Sequence, residues 1–308
     1  METTRRAVAI MGATATGKSD LAIHLAEQFG GEIISMDSRQ VYRGLDIGTG
    51  KVTLEDRRRV VHHLIDILDP DEVNSAGVHV GRAVAILERT AAGGKPVFFV
   101  GGTGLYFRVL FRGIIAARTS DAERNRLRRE FSSRSTQELH WKLAELDPER
   151  AKVLSPGDRV RILRAIEIAL LTGKTHTEHI ARQPKPPAWG GTKIVLTLPR
   201  PVLRERIAER TREMFEKGWT DEVRSLIARG IGLDAPAMGS LGYDVIARAI
   251  VAGTDPETTR DEVATRTQQY AKRQETFFRS EPDALWFDMS AQEVRGEIRR
   301  IVGERIAL

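Results

Sequence analysis

The sequence predicts an α/β protein built on a parallel sheet flanked by helices, with an inserted all-helical lobe. Short apolar segments typical of buried strands recur along the chain, with helical patterns between them. A glycine-rich loop joins the first of these strands to the first helix. Between about residues 119 and 177 the chain has helical patterns and many charges but no convincing strand. Strands that alternate with helices favour a parallel sheet covered on both faces.

Five strands are expected, at residues 8–11, 32–36, 96–100, 193–198 and 285–287. The last third of the chain is otherwise helical, with helices expected at 202–217, 221–229 and 258–279. Gly218 and Gly230 are placed to end the first two of these helices, because glycine readily adopts the left-handed conformation that follows a helix.

The strand-free region divides the chain into three parts. Residues 1–114 and 193–308 are expected to form the two parts of a core, and residues 115–192 a helical insertion domain. The stretch 183–191 contains three prolines and is predicted to be a stiff connector, since proline breaks helices and fixes its own backbone angle.

Composition excludes several classes of function. The chain has 308 residues and no cysteine, which excludes disulfides, thiolate catalysis and cysteine metal sites. No apolar stretch approaches the roughly 18 residues of a membrane span, and the start does not resemble a signal peptide, so we expect a cytoplasmic protein without membrane association. The net charge of +6 favours a polyanionic partner, although charge alone is weak evidence.

The loop after the first strand has the G-x-x-x-x-G-K-[ST] spacing of a phosphate-binding loop (P-loop), and a chance match in a glycine-rich turn is the alternative. Such a loop points successive N–H groups and a helix N-terminus at a di- or triphosphate. Lys18 would supply a point charge and the Ser19 hydroxyl a ligand for Mg²⁺. The expected diphosphate-binding residues are Gly12, Ala13, Thr14, Ala15, Thr16, Gly17, Lys18 and Ser19.

Three further segments carry candidate chemistry. The second strand leads to Asp37, which would lie beside the phosphate loop as a proton acceptor or, alternatively, cap a turn. Strand 96–100 ends in Gly101-Gly102-Thr103-Gly104 and has no carboxylate, unlike the strand that holds Mg²⁺ in conventional P-loop kinases. His62 and His63 suggest a metal site, but adjacent side chains on a strand point apart, so a structural role at the edge of the site is favoured.

These residues resemble the tRNA dimethylallyltransferases, a family of isopentenyl transferases, over nearly the whole chain. The most specific match is the block 37–49, Asp-Ser-Arg-Gln-Val-Tyr-Arg-Gly-Leu-Asp-Ile-Gly-Thr. Further matches lie in the phosphate loop and at residues 62–66, 101–106, 158, 161–167, 172–174, 242–243 and 270–274.

The resemblance implies transfer of a dimethylallyl group from dimethylallyl diphosphate to N6 of the adenosine just 3′ of the tRNA anticodon, adenosine 37. Asp37 would orient the amine and remove its proton, while Lys18, Ser19 and Mg²⁺ would hold the departing diphosphate. Thr14 and Thr103 would lie near the diphosphate or the base. Arg206 and Arg210 lie one turn apart on a predicted helix, and Arg210 is preferred as the arginine that assists the diphosphate.

The partner implied by the resemblance is the anticodon stem-loop of tRNA, whose unpaired bases are the easiest to extrude. The expected tRNA contacts are Asp37, Ser38, Arg39, Gln40, Thr103, Asn125, Val160, Arg161, Ile162, Leu163, Arg164, Gly242, Tyr243, Lys272, Arg273, Gln274 and Arg279. The contact near residue 121 falls on Arg124, Asn125 or Arg126. For the helix 258–279 alone, a packed face with solvated charges is the simpler alternative.

The chain departs from the family pattern at Ala13, Gly239, Asp244 and Gln268-Gln269, and an acidic Asp244 would be unfavourable beside a phosphate backbone. Three other functions remain open: prenyl transfer to free adenine nucleotides, a P-loop small-molecule kinase, and a nucleic-acid-binding ATPase. The basic helical insertion favours a polymeric acceptor, and the missing carboxylate after Val100 counts against a kinase. A monomer is expected.

Overall fold

A computed structural model describes residues 6–113, 120–182 and 190–307. Six strands form one parallel sheet in the order β3-β2-β4-β1-β5-β6. The strands are β1 (Ala7–Gly12), β2 (Glu32–Ser35), β3 (His62–His63), β4 (Val97–Gly101), β5 (Thr192–Thr197) and β6 (Leu285–Asp288). The predicted fold class is confirmed, and the five expected strands are present within two residues of their expected bounds. The sixth, β3, is the histidine pair.

The burial of each strand matches its place in the sheet. Every residue of β1 is buried, as expected for a parallel strand covered on both faces, and β1 lies between β4 and β5. Edge strand β6 leaves Leu285 and Trp286 40% exposed. Because all six strands are parallel, their carboxyl ends lie at one edge of the sheet, where ligands of such folds bind.

The helices in chain order are α1 (Lys18–Phe29), α2 (Leu54–Arg59), α3 (Ala76–Ala92), α4 (Gly104–Arg112), α5 (Asp121–Glu130), α6 (Thr136–Leu146), α7 (Pro148–Val153), α8 (Arg159–Thr172), α9 (His176–Arg182), α10 (Arg200–Glu216), α11 (Trp219–Ala228), α12 (Tyr243–Val251), α13 (Arg260–Phe278) and α14 (Val294–Ile306). Gly218, with φ of 91°, separates α10 from α11 as expected. Helix α13 starts two residues later than expected, after a 3₁₀ turn at Pro256–Thr259. None of these helices, within the described residues, is long and apolar enough to cross a membrane.

The chain divides into two compact units, Met1–Phe111 with Pro187–Leu308, and Arg112–Pro186. In the first unit, one face of the sheet packs against α3 and α4 through residues such as Phe99 and Phe107. The other face packs against α1 and α14 through residues such as Ile10 and Leu25. A third cluster, which includes Trp219 and Tyr243, joins α10, α11 and α12 to the segment 41–47.

The second unit is all-helical over its described residues and contains α5 to α9. Its core consists of Leu139, Leu143, Ile162 and Ile166, with partners from α5 and α7. The carboxylate of Glu167 is fully buried in it and accepts hydrogen bonds from Arg128 (2.6 Å) and Arg164 (3.1 Å). Most of the connector predicted at 183–191 lies outside the described residues.

Candidate active site

A cavity of about 690 Å³ lies at the carboxyl edge of the sheet in the first unit. The loops after β1, β2 and β4 line it, together with the segment 48–50 and side chains of α10, α11 and α13. Lining residues include Thr14, Lys18 and Asp37. The topology therefore brings the phosphate loop, the loop that carries Asp37 and the second glycine-rich turn to one place.

The backbone of the phosphate loop has the curled conformation that its sequence predicts. Gly12 has φ of 146°, and a Cβ atom there would lie 2.4 Å from the carbonyl oxygen of Leu196, so only glycine fits. Gly17, with φ of 87°, starts α1. The Thr16 hydroxyl donates to the carbonyl of Ala13 (2.9 Å) and closes the loop. These contacts leave the N-terminus of α1 facing the cavity, which favours an anion.

Two cations lie beside this loop. Lys18 Nζ donates to the Ala13 carbonyl (2.5 Å), and Arg210 Nη1 donates to the Thr14 hydroxyl (3.0 Å). Burial, with Arg210 nearby, lowers the pKa of Lys18 to about 7, although Asp37 opposes the shift. Burial also lowers the pKa of Arg210. Of the two candidate arginines, Arg206 is exposed and does not line this cavity. The geometry therefore favours Arg210 for contact with an anion.

Asp37 follows β2 and is anchored through one oxygen only. Its Oδ1 accepts the backbone N–H groups of Arg39 (2.7 Å) and Gln40 (3.4 Å), while Oδ2 accepts no hydrogen bond from the described residues. The turn fixes the carboxylate and leaves a free oxygen in the cavity. The turn-cap reading and the proton-acceptor reading of Asp37 are thus compatible, because each uses a different oxygen.

The second glycine-rich turn supports the loop that carries Asp37. The Thr103 hydroxyl accepts the backbone N–H of Ser38 (3.1 Å). A Cβ atom on Gly101 would lie 2.2 Å from the carbonyl oxygen of Met36, so the two loops approach as closely as glycine allows. Thr103 therefore positions the loop that carries Asp37.

Gln274 joins the two glycine-rich loops. Its Nε2 donates to the Gly102 carbonyl (2.9 Å), and its Oε1 accepts the backbone N–H of Thr14 (2.9 Å). The side chain is 6% exposed. Sequence reasoning expected a contact with tRNA here, but the amide is already used by the two loops. Gln274 therefore holds the loops together, and because it also lines the cavity, its contact with tRNA stays a prediction.

The other residues after Asp37 also have partners inside the protein. Arg39 Nη1 donates to the Pro236 carbonyl (2.9 Å). Gln40 Nε2 donates to the carbonyls of Thr49 (3.4 Å) and Gly50 (3.3 Å). Ser38, Arg39 and Gln40 all line the cavity, so they remain available to a base that enters it.

The two adjacent histidines point apart, as expected for a strand. His62 Nδ1 contacts the Val60 carbonyl (2.8 Å), whereas His63 Nε2 contacts the Glu32 carboxylate (2.8 Å). His62 lines the cavity. Across residues 6–113, 120–182 and 190–307, no group of three or more His, Asp or Glu side chains could hold a metal ion. A metal would thus depend on ligand oxygens, with the Ser19 hydroxyl as the candidate protein donor.

One rim of the cavity carries charged and polar side chains of α12 and α13, namely Asp244, Arg266, Gln269, Tyr270 and Arg273. Asp244 accepts hydrogen bonds from Arg248 (2.9 Å) and Arg266 (3.1 Å), so its negative charge is offset by two arginines. Lys272 on α13 and Arg279, directly after it, are exposed. This rim can face a phosphate backbone despite the acidic residue.

Burial corrects three of the expected tRNA contacts. Tyr243 is 0% exposed and packs against Trp219 at 5.5 Å between ring centroids, and Gly242 is buried beside it. Ile162 is 0% exposed in the core of the second unit. The side chains of Tyr243 and Ile162 have no surface to offer an RNA. The pattern of residue types in the sequence does not distinguish such packed positions from exposed ones.

The remaining expected tRNA contacts of the second unit differ in exposure. Val160, Arg161 and Asn125 are exposed, with Val160 at 80%. Leu163 is partly buried against the helical core, and Arg164 is half-buried beside Glu167. The N-terminal turn of α8 thus presents Val160 and Arg161 to solvent.

Sequence reasoning missed part of the cavity wall. Met214 and Trp219 line it from α10 and α11, opposite Gly48 and Gly50. No periodic pattern marks either side chain as a cavity residue. Gly48 and Gly50, at and just after the end of the block 37–49, were a signal that another part of the chain comes close to the backbone there. They could have located this wall.

Comparison with known proteins agrees with this geometry. The family described as IPP transferase matches residues 40–281, and the isopentenyl transferase family matches residues 5–66. A tRNA dimethylallyltransferase of Myxococcus xanthus is 46% identical over 281 residues, covering 90% of each chain. That of Geobacter metallireducens is 42% identical over 300 residues, covering 92% of each.

Two solved structures are similar over most of the chain. The tRNA isopentenylpyrophosphate transferase of Bacillus halodurans has a TM-score of 0.73 and 35% identity, covering 98% of this chain and 96% of that one. A eukaryotic dimethylallyltransferase acting on tRNA has a TM-score of 0.82 and 25% identity, covering 96% and 77%. With its phosphate loop, the Asp37 block and these matches, the chain belongs to the IPP transferase family, whose curated relatives here are tRNA dimethylallyltransferases.

Proposed function

We propose that this protein transfers a dimethylallyl group from dimethylallyl diphosphate to N6 of adenosine 37 in tRNA, releasing diphosphate. The observation that carries the proposal is that Asp37, with one free carboxylate oxygen, lines the same cavity as the phosphate loop, Lys18 and Arg210. A proton acceptor and an anion site within one cavity suit an alkyl transfer in which diphosphate leaves.

The diphosphate would bind at the N-terminus of α1, where the loop N–H groups, Lys18 and Arg210 converge. As the C–O bond breaks, negative charge grows on the diphosphate oxygens, and these cations stabilise it. Arg210 also fixes Thr14 through its hydroxyl. The loop holds a leaving group in this reaction, and no phosphoryl group moves.

The acceptor is a weak nucleophile, because the lone pair of the adenine N6 amine is delocalised into the ring. Asp37 Oδ2 would accept a hydrogen bond from N6–H, orient the amine towards the allylic carbon and take its proton as the C–N bond forms. The contact of the Thr103 hydroxyl with Ser38 keeps this carboxylate in place. Ser38, Arg39 and Gln40 would contact the extruded base or its neighbours.

Magnesium is the cofactor we propose. The Ser19 hydroxyl and the diphosphate oxygens would hold it, which agrees with the absence of a carboxylate cluster in the described residues. When bound, Mg²⁺ neutralises charge on the leaving diphosphate.

The RNA-binding part of the proposal rests on exposed residues in each unit. In the first unit these are Lys272 and Arg273 on α13 and Arg279 directly after it, and in the second Asn125, Val160 and Arg161. We propose that these residues contact the anticodon stem-loop. We also propose that the insertion domain spans about residues 115–192. The protein itself is proposed to work as a cytoplasmic monomer.

The decisive experiment is transfer of label from dimethylallyl diphosphate to unmodified tRNA or to AMP. We expect N6-(dimethylallyl)adenosine in the tRNA nucleosides and none in AMP. Label found only in AMP would replace the proposal by prenyl transfer to free nucleotides. Turnover that consumed ATP without joining a prenyl carbon to RNA would replace it by a kinase or an ATPase.

A further inference from the structure

The carboxylate of Glu222, in the first turn of α11, binds an entire turn of backbone. Its Oε2 accepts the N–H groups of Asp46 (2.8 Å) and Ile47 (2.8 Å), and its Oε1 accepts that of Gly48 (3.3 Å). The Tyr243 hydroxyl donates to the same Oε1. Four donors therefore converge on one side chain, which matches the acceptor capacity of an ionised carboxylate.

The backbone held in this way is a wall of the cavity. Gly48, Thr49 and Gly50 all line it. A Cβ atom on Gly48 would lie 2.0 Å from Trp219 Nε1, and one on Gly50 would lie 1.9 Å from Arg210 Nη2. The wall is therefore in close contact with the arginine that binds Thr14, and its position limits where that guanidinium can lie.

Tyr243 completes the arrangement from α12. Its ring is fully buried against Trp219, and burial, with Glu222 nearby, raises the pKa of the phenol well above its ordinary value. The phenol thus stays protonated and remains a donor to Glu222. The Gly-Tyr motif, expected from the sequence to contact RNA, instead acts on the segment 46–50.

We propose that Glu222, supported by Tyr243, is a positioning residue of the prenyl transfer site: it fixes the segment 46–50 against Arg210 and so sets the site for the diphosphate donor. Glu222 itself does not line this cavity, and its effect passes through the backbone of Asp46 to Gly48. The inference rests on the proposed function only for its kinetic readout.

Glu222→Gln is the informative variant, because it keeps the size of the side chain but replaces one acceptor oxygen by an NH₂ donor that would face a backbone N–H. We expect the KM for dimethylallyl diphosphate to rise about tenfold, in line with the loss of one or two hydrogen bonds to a charged group. The KM for tRNA should stay within twofold. Amide exchange of a peptide covering 45–50 should accelerate, with other peptides unchanged.

Two further variants separate this role from a general loss of stability. Tyr243→Phe should shift the same KM and the same peptide in the same direction, by a smaller factor, and it serves as the main test should Glu222→Gln fold poorly. Glu257→Gln is the matched control, because Glu257 binds Thr220 (3.2 Å) and Arg260 (3.0 Å) but not the segment 46–50. It should leave the KM for the donor and the exchange of 45–50 unchanged.

An unaltered donor KM together with unaltered exchange of 45–50 in folded Glu222→Gln and Tyr243→Phe would overturn the inference. A uniform fall in kcat with unchanged KM values would also overturn it. Absence of prenyl transfer by the wild-type protein would count against the proposed function instead, and the exchange measurement would still test Glu222.

Discussion

The floor of the cavity (Thr14, Lys18, Asp37 and Arg210) and its rim (Asp244, Arg266, Gln269, Tyr270 and Arg273) both carry cations, but the cations differ in surroundings. At the floor, neither Lys18 nor Arg210 forms an ion pair with a carboxylate of the described residues, and burial lowers the pKa of both. At the rim, Arg266 pairs with Asp244 (3.1 Å) and Glu262 (2.6 Å).

The difference separates two kinds of anion binding. Desolvated cations that form no ion pair with a carboxylate are costly until an anion binds, so the floor is suited to a small, highly charged group that excludes water. Exposed and partly paired cations gain little from any single contact and are screened by salt, as is usual for a polyanionic backbone. Effects of mutation should therefore be large and specific at the floor and small and salt-dependent at the rim.

The largest effect is expected at Asp37. Asp37→Asn keeps an Oδ1 acceptor for the backbone N–H groups of Arg39 and Gln40 but removes the basic oxygen. We expect kcat to fall by about 10²- to 10⁴-fold, the range usual for a general base, with the binding of tRNA and of donor nearly unchanged. Single-turnover transfer and a separate tRNA-binding assay would measure both. A rate within a few fold of the wild type would remove Asp37 as the base.

Lys18 tests the floor as an anion site. Lys18→Gln should weaken the binding of dimethylallyl diphosphate by about ten- to a hundredfold, because a charge-assisted hydrogen bond is lost in a buried place. Arg204→Gln is the matched control: it removes an exposed cation from the helix that carries Arg210, at a position that does not line the cavity. Equal effects of the two variants on donor affinity would erase the distinction between the floor and exposed cations.

The floor was the part most accessible from the sequence. Gly12, Gly17, Lys18 and Asp37 have restricted chemistry or backbone geometry, and parallel strands bring their ends together, so residue types alone placed them. The partners that support the site are different. Gln274 is a polar residue on a helix whose spacing fits both a packed face and an RNA-binding face. Only its hydrogen bonds to Gly102 (2.9 Å) and Thr14 (2.9 Å), far away in the sequence, show that it holds the two loops together.

The expected tRNA contacts were less predictable for a related reason. Tyr243 stands next to a glycine in a segment that the family resemblance linked to tRNA, and the side-chain type fits both stacking on a base and packing in a core. Trp219, about 170 residues from Gly48 in the sequence, decides the matter through contacts that no local pattern contains. Long-range packing therefore explains why Tyr243 and Ile162 were assigned to a surface that they do not reach.

The pH dependence of donor affinity should also distinguish the floor from the rim. Its effect should be smaller than those of the substitutions at Asp37 and Lys18. Because the pKa of Lys18 in the free protein is lowered to about 7, its ammonium form is complete below that pH and is lost above it. A diphosphate favours the ammonium form, so donor affinity should be highest below about pH 7 and fall by up to about tenfold per pH unit above it. The affinity for tRNA should not follow this curve. In Lys18→Gln the inflection should vanish, and its persistence would assign it to another group.

At the rim, Arg273→Ala should weaken tRNA binding by only about two- to fivefold, since its side chain is exposed. The slope of log affinity against log salt should become shallower by about one. Donor affinity should not change. Titrations at several salt concentrations would measure the slope, and a strong loss without a change in slope would contradict a phosphate contact.

The smallest effect is expected at Asp244, where a gain rather than a loss should appear. Asp244→Asn removes the negative charge that holds Arg248 and Arg266, so these guanidinium groups can turn to phosphates at the rim. We expect tRNA affinity to rise by about two- to fivefold, with a steeper salt slope. Asp221→Asn removes the same charge from an ion pair with Arg224 (2.8 Å) that does not line the cavity, and it should have no effect. Weaker tRNA binding by Asp244→Asn would show that the rim needs Asp244 to hold its arginines in place. The cations of the rim would then depend on a fixed geometry, as those of the floor do.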